Sequence, residues 1–525
     1  MPIAPTTDRN NPRGAFAAGA AFLLAYWIFG FDGITFSDDV YYLLAGKKFW
    51  EGTMEINEYH FSTRWGAYVP AGLAGWLLSF DPHTVSLVSL LSYLGTLLLL
   101  LRILPRDRSP WVLVFWFCTQ VYLLHFLTKV YPDSLLVFWV TLVPFSAIFR
   151  YEKPFLAALG LVSALFFGFL TKETIVFLAA FPVLLFVLDW KDKKPNLSFY
   201  GYLLAMGFLF GATYLAYFWL KFGDPLYRLQ SLQAGHYISE YTYADKGAWV
   251  ILKRLTILPI LTFVERSYWL WLVFSLPAWV QLRKKQGSPG LEFGLASLCL
   301  LTGFWAMSTN LAFYNPLYLN PRHLIVLVPI LAFLVSMGWA VWQESLRIRK
   351  AMVFLVALGV AVSLLQQDWK MVGFQASFVG ILLWRNLPMK EWAVALLLLI
   401  PAFASVYYQG KLKAYPEFLD ALKSEVGNPS DQSPILVNNF VHFSREVLFP
   451  DDASAQSLLL PIEKLDSVRT QLPQQFRVFI YDYYQHAYPK EQLDIDKLRD
   501  FLSQEAELVA EERGHRVWKG TFRRK

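Results

Sequence analysis

Long apolar blocks alternate with short polar joints along most of this chain. Read in helical windows, the blocks run over residues 14 to 31, 84 to 101, 110 to 128, 134 to 149, 155 to 170, 174 to 189 and 197 to 220. They continue over 268 to 282, 291 to 309, 324 to 342, 351 to 365, 371 to 384 and 391 to 408, about thirteen in all. A hydrocarbon core about 30 Å thick needs roughly 17 to 25 apolar helical residues. The stretches Gly14 to Phe31 and Leu197 to Leu220 meet that need without a single charge. The pattern predicts an α-helical polytopic membrane protein.

The polar joints carry topology. Cytoplasmic connections are enriched in Lys and Arg, and here every second joint is basic, starting from Arg9 and Arg13. Arg102, Arg106 and Arg108 follow, then Arg150 and Lys153, then Lys191, Lys193 and Lys194. Arg283, Lys284 and Lys285, then Arg347, Arg349 and Lys350, then Arg385 and Lys390 complete the alternation. It holds only if residues 67 to 80 do not cross; with Pro70 and two glycines they read as a helix lying in the interface. Residues 248 to 264, interrupted by Lys253 and Arg254, read the same way. The opposite joints then face the periplasm: a first loop over 32 to 83, the turns near Asp133 and Lys172, and residues 221 to 267 and 309 to 323. Residues 1–408 form the membrane domain. Residues 411–525 change character, with strand-like PILVNNFV and FRVFIYDYY separated by helix-like stretches such as DIDKLRDFLSQEAEL, and predict a small periplasmic α/β domain.

Composition adds little to this. The 525 residues are 56% hydrophobic and 17% charged, with mean hydropathy +0.38, outside the soluble range. The net charge of +7 sits mostly in joints between spans, which excludes a nucleic-acid partner. Cys118 and Cys299 lie inside apolar blocks, with neither disulfide nor metal-ligand spacing. The first block follows Arg9 and Arg13 like a signal peptide but lacks a small-residue cleavage site before Asp38, so it reads as a retained helix.

Chemistry gathers at the periplasmic ends. Asp38 and Asp39, in ITFSDDVYYLLAGKKFWEG, begin a helix that Ser37 could cap, and a helix N-terminus favours acids. A cap needs one acid, however, and a carboxylate pair at a membrane boundary is costly unless it serves a function. Asp133 follows Pro132 at another helix start, beside Lys129 and Tyr131. LTKET places Lys172 and Glu173 at a hairpin tip, and NPLYLNPRHLIVL places Arg322 and His323 at a span end. Such a face suits a lipid-linked phosphate, its tail between helices and its headgroup at the boundary. Lys172, Arg322, Lys129 and His323 would bind the phosphate.

SDDVYYLLAGKKFWEG, EYHFSTRWGAYVPAGLAGWLLSF, YPDSLLVFW, GFLTKET and YLNPRHLIVLVPILAFL, in that order, resemble the GT-C superfamily of glycosyltransferases, specifically the protein O-mannosyltransferase and aminoarabinose-transferase group, family 39 and its relatives. The resemblance covers roughly residues 14 to 345. It implies a GT-C-like membrane domain and an inverting transferase of the inner membrane, drawing on a polyprenyl-phosphate sugar. It casts Asp38 as the base, Asp39 and Asp133 as further catalytic acids, and Lys172 as a phosphate ligand. Tyr131, Glu173, His60 and Arg64 would position acceptor or donor. Some relatives need a divalent metal, to which Asp38 and Asp133 could offer two oxygens; no other cofactor is implied. Asp39 stands where Glu is common, and STRWGAYVP replaces the family's frequent double proline. The rival readings are a transporter or flippase of lipid-linked glycans, which would show broken helices or mid-membrane charges, and a non-catalytic scaffold.

Overall fold

The structure, a computed structural model, describes residues 11–235, 242–282, 289–384, 387–427, 433–470 and 472–525. Arg9, Arg283, Lys284, Lys285 and Arg385 of the basic joints lie outside the described residues.

Among the described residues eight helical segments are long and apolar enough to cross a membrane: Pro12–Phe29, Pro82–Ile103, Pro154–Thr171, Glu173–Lys191, Leu197–Phe222, Leu327–Glu344, Leu346–Leu365 and Lys390–Val426. A ninth is a pair, Pro110–Cys118 and Val121–Leu127, bent by 67°. Four shorter apolar helices, Pro132–Ile148, Trp269–Val280, Gly290–Ala306 and Trp369–Leu383, bring the segments to the thirteen that the sequence predicts. Several start on proline, whose missing N–H would be unpaired in a first turn anyway.

Both kinds of apolar helix expected of a membrane bundle are present. Leu327–Glu344 is buried on nearly every face, against Trp269–Leu282, Gly290–Ala306 and Pro110–Cys118. Leu197–Phe222 is equally apolar, yet only 6% of its apolar stretch is buried. Leu204, Phe208 and Leu220 stand exposed, as a lipid-facing surface requires. The long helix stops at Gly223, whose φ of 73° turns the chain in the left-handed region.

The bend is a correction to the straight span read over 110 to 128. At Thr119 the helical run stops, and the Gln120 side chain accepts from Leu123 N at 2.8 Å, capping a new helix. A broken span is a feature that a transporter would share. Its break is uncharged, and the Gln120 side-chain oxygen is already engaged by the cap.

The helix Asp38–Trp50 packs on Trp65–Leu77 through glycines. A Cβ at Gly46 would lie 2.7 Å from Tyr68 O and 2.8 Å from Gly72 N, so only glycine allows this approach. At the opposite end of the bundle Arg150 is buried between Asp189 (2.8 and 2.9 Å) and Glu292 (2.5 Å), and Tyr200 donates to Asp189 at 2.6 Å. Arg150 is thus a structural ion as well as a topological signal.

The C-terminal part is a five-stranded sheet with helices, as the sequence predicts in kind. Strands β1 (Ile435–Val437), β2 (Leu459–Pro461), β3 (Gln475–Tyr481), β4 (Ala506–Arg513) and β5 (Val517–Arg524) are ordered β2-β1-β3-β5-β4. β1 runs parallel to β2 and β3, and β5 antiparallel to β3 and β4. The predicted helix over DIDKLRDFLSQEAEL ends at Glu505, and its last three residues open β4. This domain shares one apolar core with the loop preceding Asp38. Phe36, at φ 59°, sits among the rings of Tyr415, Phe418, Phe440 and Tyr481, with centroids 5.1 to 6.1 Å away. A bulky residue in that conformation costs about 1–3 kcal/mol and persists only where its surroundings impose it.

Candidate active site

The strained turn at Phe36 launches the helix that carries both acids, and it gives them different surroundings. Asp39 is 1% exposed. Its carboxylate accepts from Thr35 N at 2.6 Å, Thr35 Oγ1 at 2.7 Å and Ser37 N at 3.1 Å. The Ser37 hydroxyl makes no capping bond, contrary to the sequence reading; the cap runs the other way, from Asp39 back over the turn. Asp38 keeps its side chain 24% exposed and meets Arg322 Nη1 at 2.7 Å.

Arg322 reaches that position from a short turn, Pro321–Leu324, whose start is capped by Asn320 Oδ1 on Arg322 N at 3.0 Å. Its guanidinium lies 5.2 Å from the Tyr131 ring centroid, and its Nε donates to His323 Nε2 at 3.4 Å. Burial works against its charge, but Asp38, Tyr131 and Asp133 hold it protonated above the ordinary guanidinium range. Burial and the cations of Lys172 and Arg322 push His323 far below the usual imidazole value, so it serves here as a neutral acceptor.

Lys172 sits where the helix Pro154–Thr171 ends in extended backbone. Its Nζ is 2.7 Å from each oxygen of Asp133, in the first turn of Pro132–Ile148. Burial lowers this ammonium to about 8 against the pull of Asp133. Glu173 pairs elsewhere: Arg64 reaches it at 2.7 Å and Arg228 at 2.7 Å. Arg64 also donates to the Tyr42 hydroxyl at 2.6 Å, one turn along from Asp38. This clasp ties the first loop, the TK turn and the segment after Leu197–Phe222 into one wall. The Arg64 guanidinium lies 4.3 Å from the Phe61 ring centroid, and the rings of Tyr41, Tyr59 and buried His60 pack against Phe61 at 5.6, 4.8 and 4.3 Å.

Of the residues singled out in the sequence, Asp38, Arg322, Asp133, Lys172, Tyr131 and His323 converge, with Glu173, Arg64 and His60 in the adjoining wall. Lys129 does not join them. It is ion-paired to Asp32, whose second oxygen lies 3.3 Å from Lys413. Burial brings Lys129 down to about 8 against the pull of Asp32. Sequence reading passed over Asp32, Lys413, Thr35, Tyr42 and Arg228. A charge at either end of a span was the available signal for Asp32 and Lys413, and it reads equally well as topology.

A metal does not fit this donor set. Among the described residues no three His, Cys, Asp or Glu side chains are grouped to hold an ion, and Asp38 and Asp133 each face a cation, Arg322 and Lys172.

No protein-family model matches the chain, and no curated protein sequence does. Among solved structures that share its fold are two of one protein. The crystal structure of ArnT from Cupriavidus metallidurans bound to undecaprenyl phosphate superposes with a TM-score of 0.59 at 11% identity, covering 97% of this chain and 98% of that one. The same protein in the apo state gives 0.59 at 13% identity, with the same coverage. The architecture is therefore ArnT-like, a helical membrane bundle with a small C-terminal sheet domain.

Proposed function

We propose that this chain is an inverting glycosyltransferase that moves one sugar from a polyprenyl-phosphate carrier to an extracytoplasmic hydroxyl. The observation that carries the reading is the convergence of one accessible carboxylate, Asp38, with Arg322 at 2.7 Å, beside the Lys172–Asp133 pair. The fold supports it, since a neighbour of that fold holds undecaprenyl phosphate.

The chemistry follows from charge. The carrier phosphate approaches Arg322 and Lys172, and Arg322 exchanges Asp38 for phosphate oxygens, which a guanidinium can bind in bidentate fashion. Asp38, freed as a carboxylate, takes the proton of the acceptor hydroxyl. The acceptor oxygen attacks the anomeric carbon as the bond to the phosphate oxygen breaks on the opposite face. The configuration inverts, and the charge left on polyprenyl phosphate is neutralised by the two cations. The alternating basic joints support a periplasmic position for this end of the bundle and for residues 411–525, with residues 1–408 as the catalytic membrane domain. The wall of Tyr41, Tyr59, His60, Phe61 and Arg64 faces the acceptor.

A transporter or flippase of lipid-linked glycans has the 67° bend in its favour. Purified protein incubated with a polyprenyl-phosphate sugar and an acceptor mixture separates the two readings. Transfer by wild type and its loss in Asp38→Asn support the transferase. Movement of carrier across vesicles that Asp38→Asn leaves intact, with no transfer by wild type, would replace it.

A further inference from the structure

Tyr131 is 3% exposed, and its hydroxyl lies 2.6 Å from Thr35 Oγ1. Thr35 has one hydroxyl proton, and it goes to Asp39 Oδ1 at 2.7 Å, so Tyr131 is the donor to Thr35. Asp39 is anchored in turn by Thr35 N and Ser37 N. The loop is closed from the C-terminal domain by the Tyr488 hydroxyl, which donates to Thr35 O at 2.7 Å. At the other end of this chain of bonds the Tyr131 ring faces the Arg322 guanidinium at 5.2 Å. One continuous path therefore runs from the turn that launches Asp38 to the arginine that faces it.

The geometry points to Asp39, Thr35 and Tyr131 as a positioning network that fixes the aromatic platform of Arg322 and so sets how that arginine meets the carrier phosphate. This rests on the transferase reading above. Asp39 has no part in proton transfer under it, since both its oxygens are spent on backbone and hydroxyl donors inside the turn. Arg322 is long, flexible and placed between two anions, Asp38 and the phosphate. The ring narrows its choice of direction. The network also gives the C-terminal domain a hold on the site, through Tyr488.

The test uses the full chain in detergent, with binding of sugar-free polyprenyl phosphate measured beside turnover of the sugar-bearing donor. Tyr131→Leu removes the platform and is expected to weaken carrier binding by about threefold to thirtyfold, the span of a cation–π contact. Tyr131→Leu with Arg322→Ala should bind no more weakly than Arg322→Ala alone, since contacting groups do not add. Thr35→Val and Tyr131→Phe, which each remove one hydroxyl, should weaken carrier binding by a smaller factor and keep kcat; they carry the test if Tyr131→Leu fails to fold. Asp39→Asn should weaken carrier binding as they do. Wild-type affinity in Tyr131→Leu, additive losses in the double variant, or an Asp39→Asn enzyme that loses kcat at unchanged carrier affinity would each overturn the network. Failure of the transferase reading looks different: wild type would bind no carrier, or Arg322→Ala would bind it undiminished.

Discussion

A carboxylate that accepts a proton must be reachable, and at positions 38 and 39 the two acids differ in reach: Asp38 keeps its side chain 24% exposed, Asp39 is buried. A positioned base contributes about 10²- to 10⁴-fold, so Asp38→Asn should lose turnover by that factor while reaching the membrane normally. The neighbouring lysine gives a pH dependence. Lys172 is lowered to about 8, first by burial and against the pull of Asp133. Below about 8 it is charged and attracts phosphate; above, it is neutral. Carrier phosphate ionises near 6 and stays charged throughout that range. Affinity for polyprenyl phosphate should therefore fall as pH rises through about 8, and Asp133→Asn, which leaves burial unopposed, should move the fall to lower pH. A flat titration from pH 7 to 9.5 in wild type would remove Lys172 from the phosphate. The sequence made Asp38, Asp133, Lys172 and Arg322 visible because charges at the predicted outer ends of spans are few. It could not say that Lys129 turns to Asp32 while Lys172 turns to Asp133, since both lysines stand near an acid in sequence and only packing separates them.

Among the elements, the hydrophobic blocks fix nearly every span to within a few residues, because a span must satisfy its own backbone and little else. What escaped were elements whose cause is not local. The break at Thr119 and Gln120 lies in an uncharged run, and β4, AELVAEER, carries the acid-rich look of a helix end and becomes a strand only by pairing with β5. The contact of Asp38–Trp50 with Trp65–Leu77 was likewise hidden in two glycines. Gly46→Ala places a methyl group against backbone on the partner helix, which cannot swing aside, and overpacking of this kind costs about 1–3 kcal/mol. Thermal unfolding in detergent should show the loss, together with reduced transfer, because the shifted helix carries Asp38. Gly207→Ala, with open space at its Cβ, should unfold no earlier than wild type.

For the whole molecule, the decisive join is between bundle and sheet domain. Asp32 follows the first span, Lys129 the bent pair, and Lys413 closes the helix Lys390–Lys413 that leads into the sheet domain. Their mutual pairing is buried, and Tyr481 donates its hydroxyl to Lys413 O from β3. Removing one partner of a buried ion pair costs about 3–5 kcal/mol, because the remaining charges lose their counter-ion. Asp32→Asn should lower the midpoint of thermal unfolding accordingly, and an unchanged midpoint would show the join to be dispensable. The exposed helix Leu197–Phe222 has a consequence of another kind. Its 26 residues extend about 39 Å, more than the roughly 30 Å of hydrocarbon around it, a mismatch that leaning relieves. Past the turn at Gly223 the chain leads to Arg228, whose grip on Glu173 sits one residue from Lys172. Bilayer thickness would thus act on the turn that carries Lys172, thin acyl chains increasing the lean and straining the grip. Turnover in vesicles of graded chain length should track that thickness in wild type and lose the dependence in Arg228→Ala.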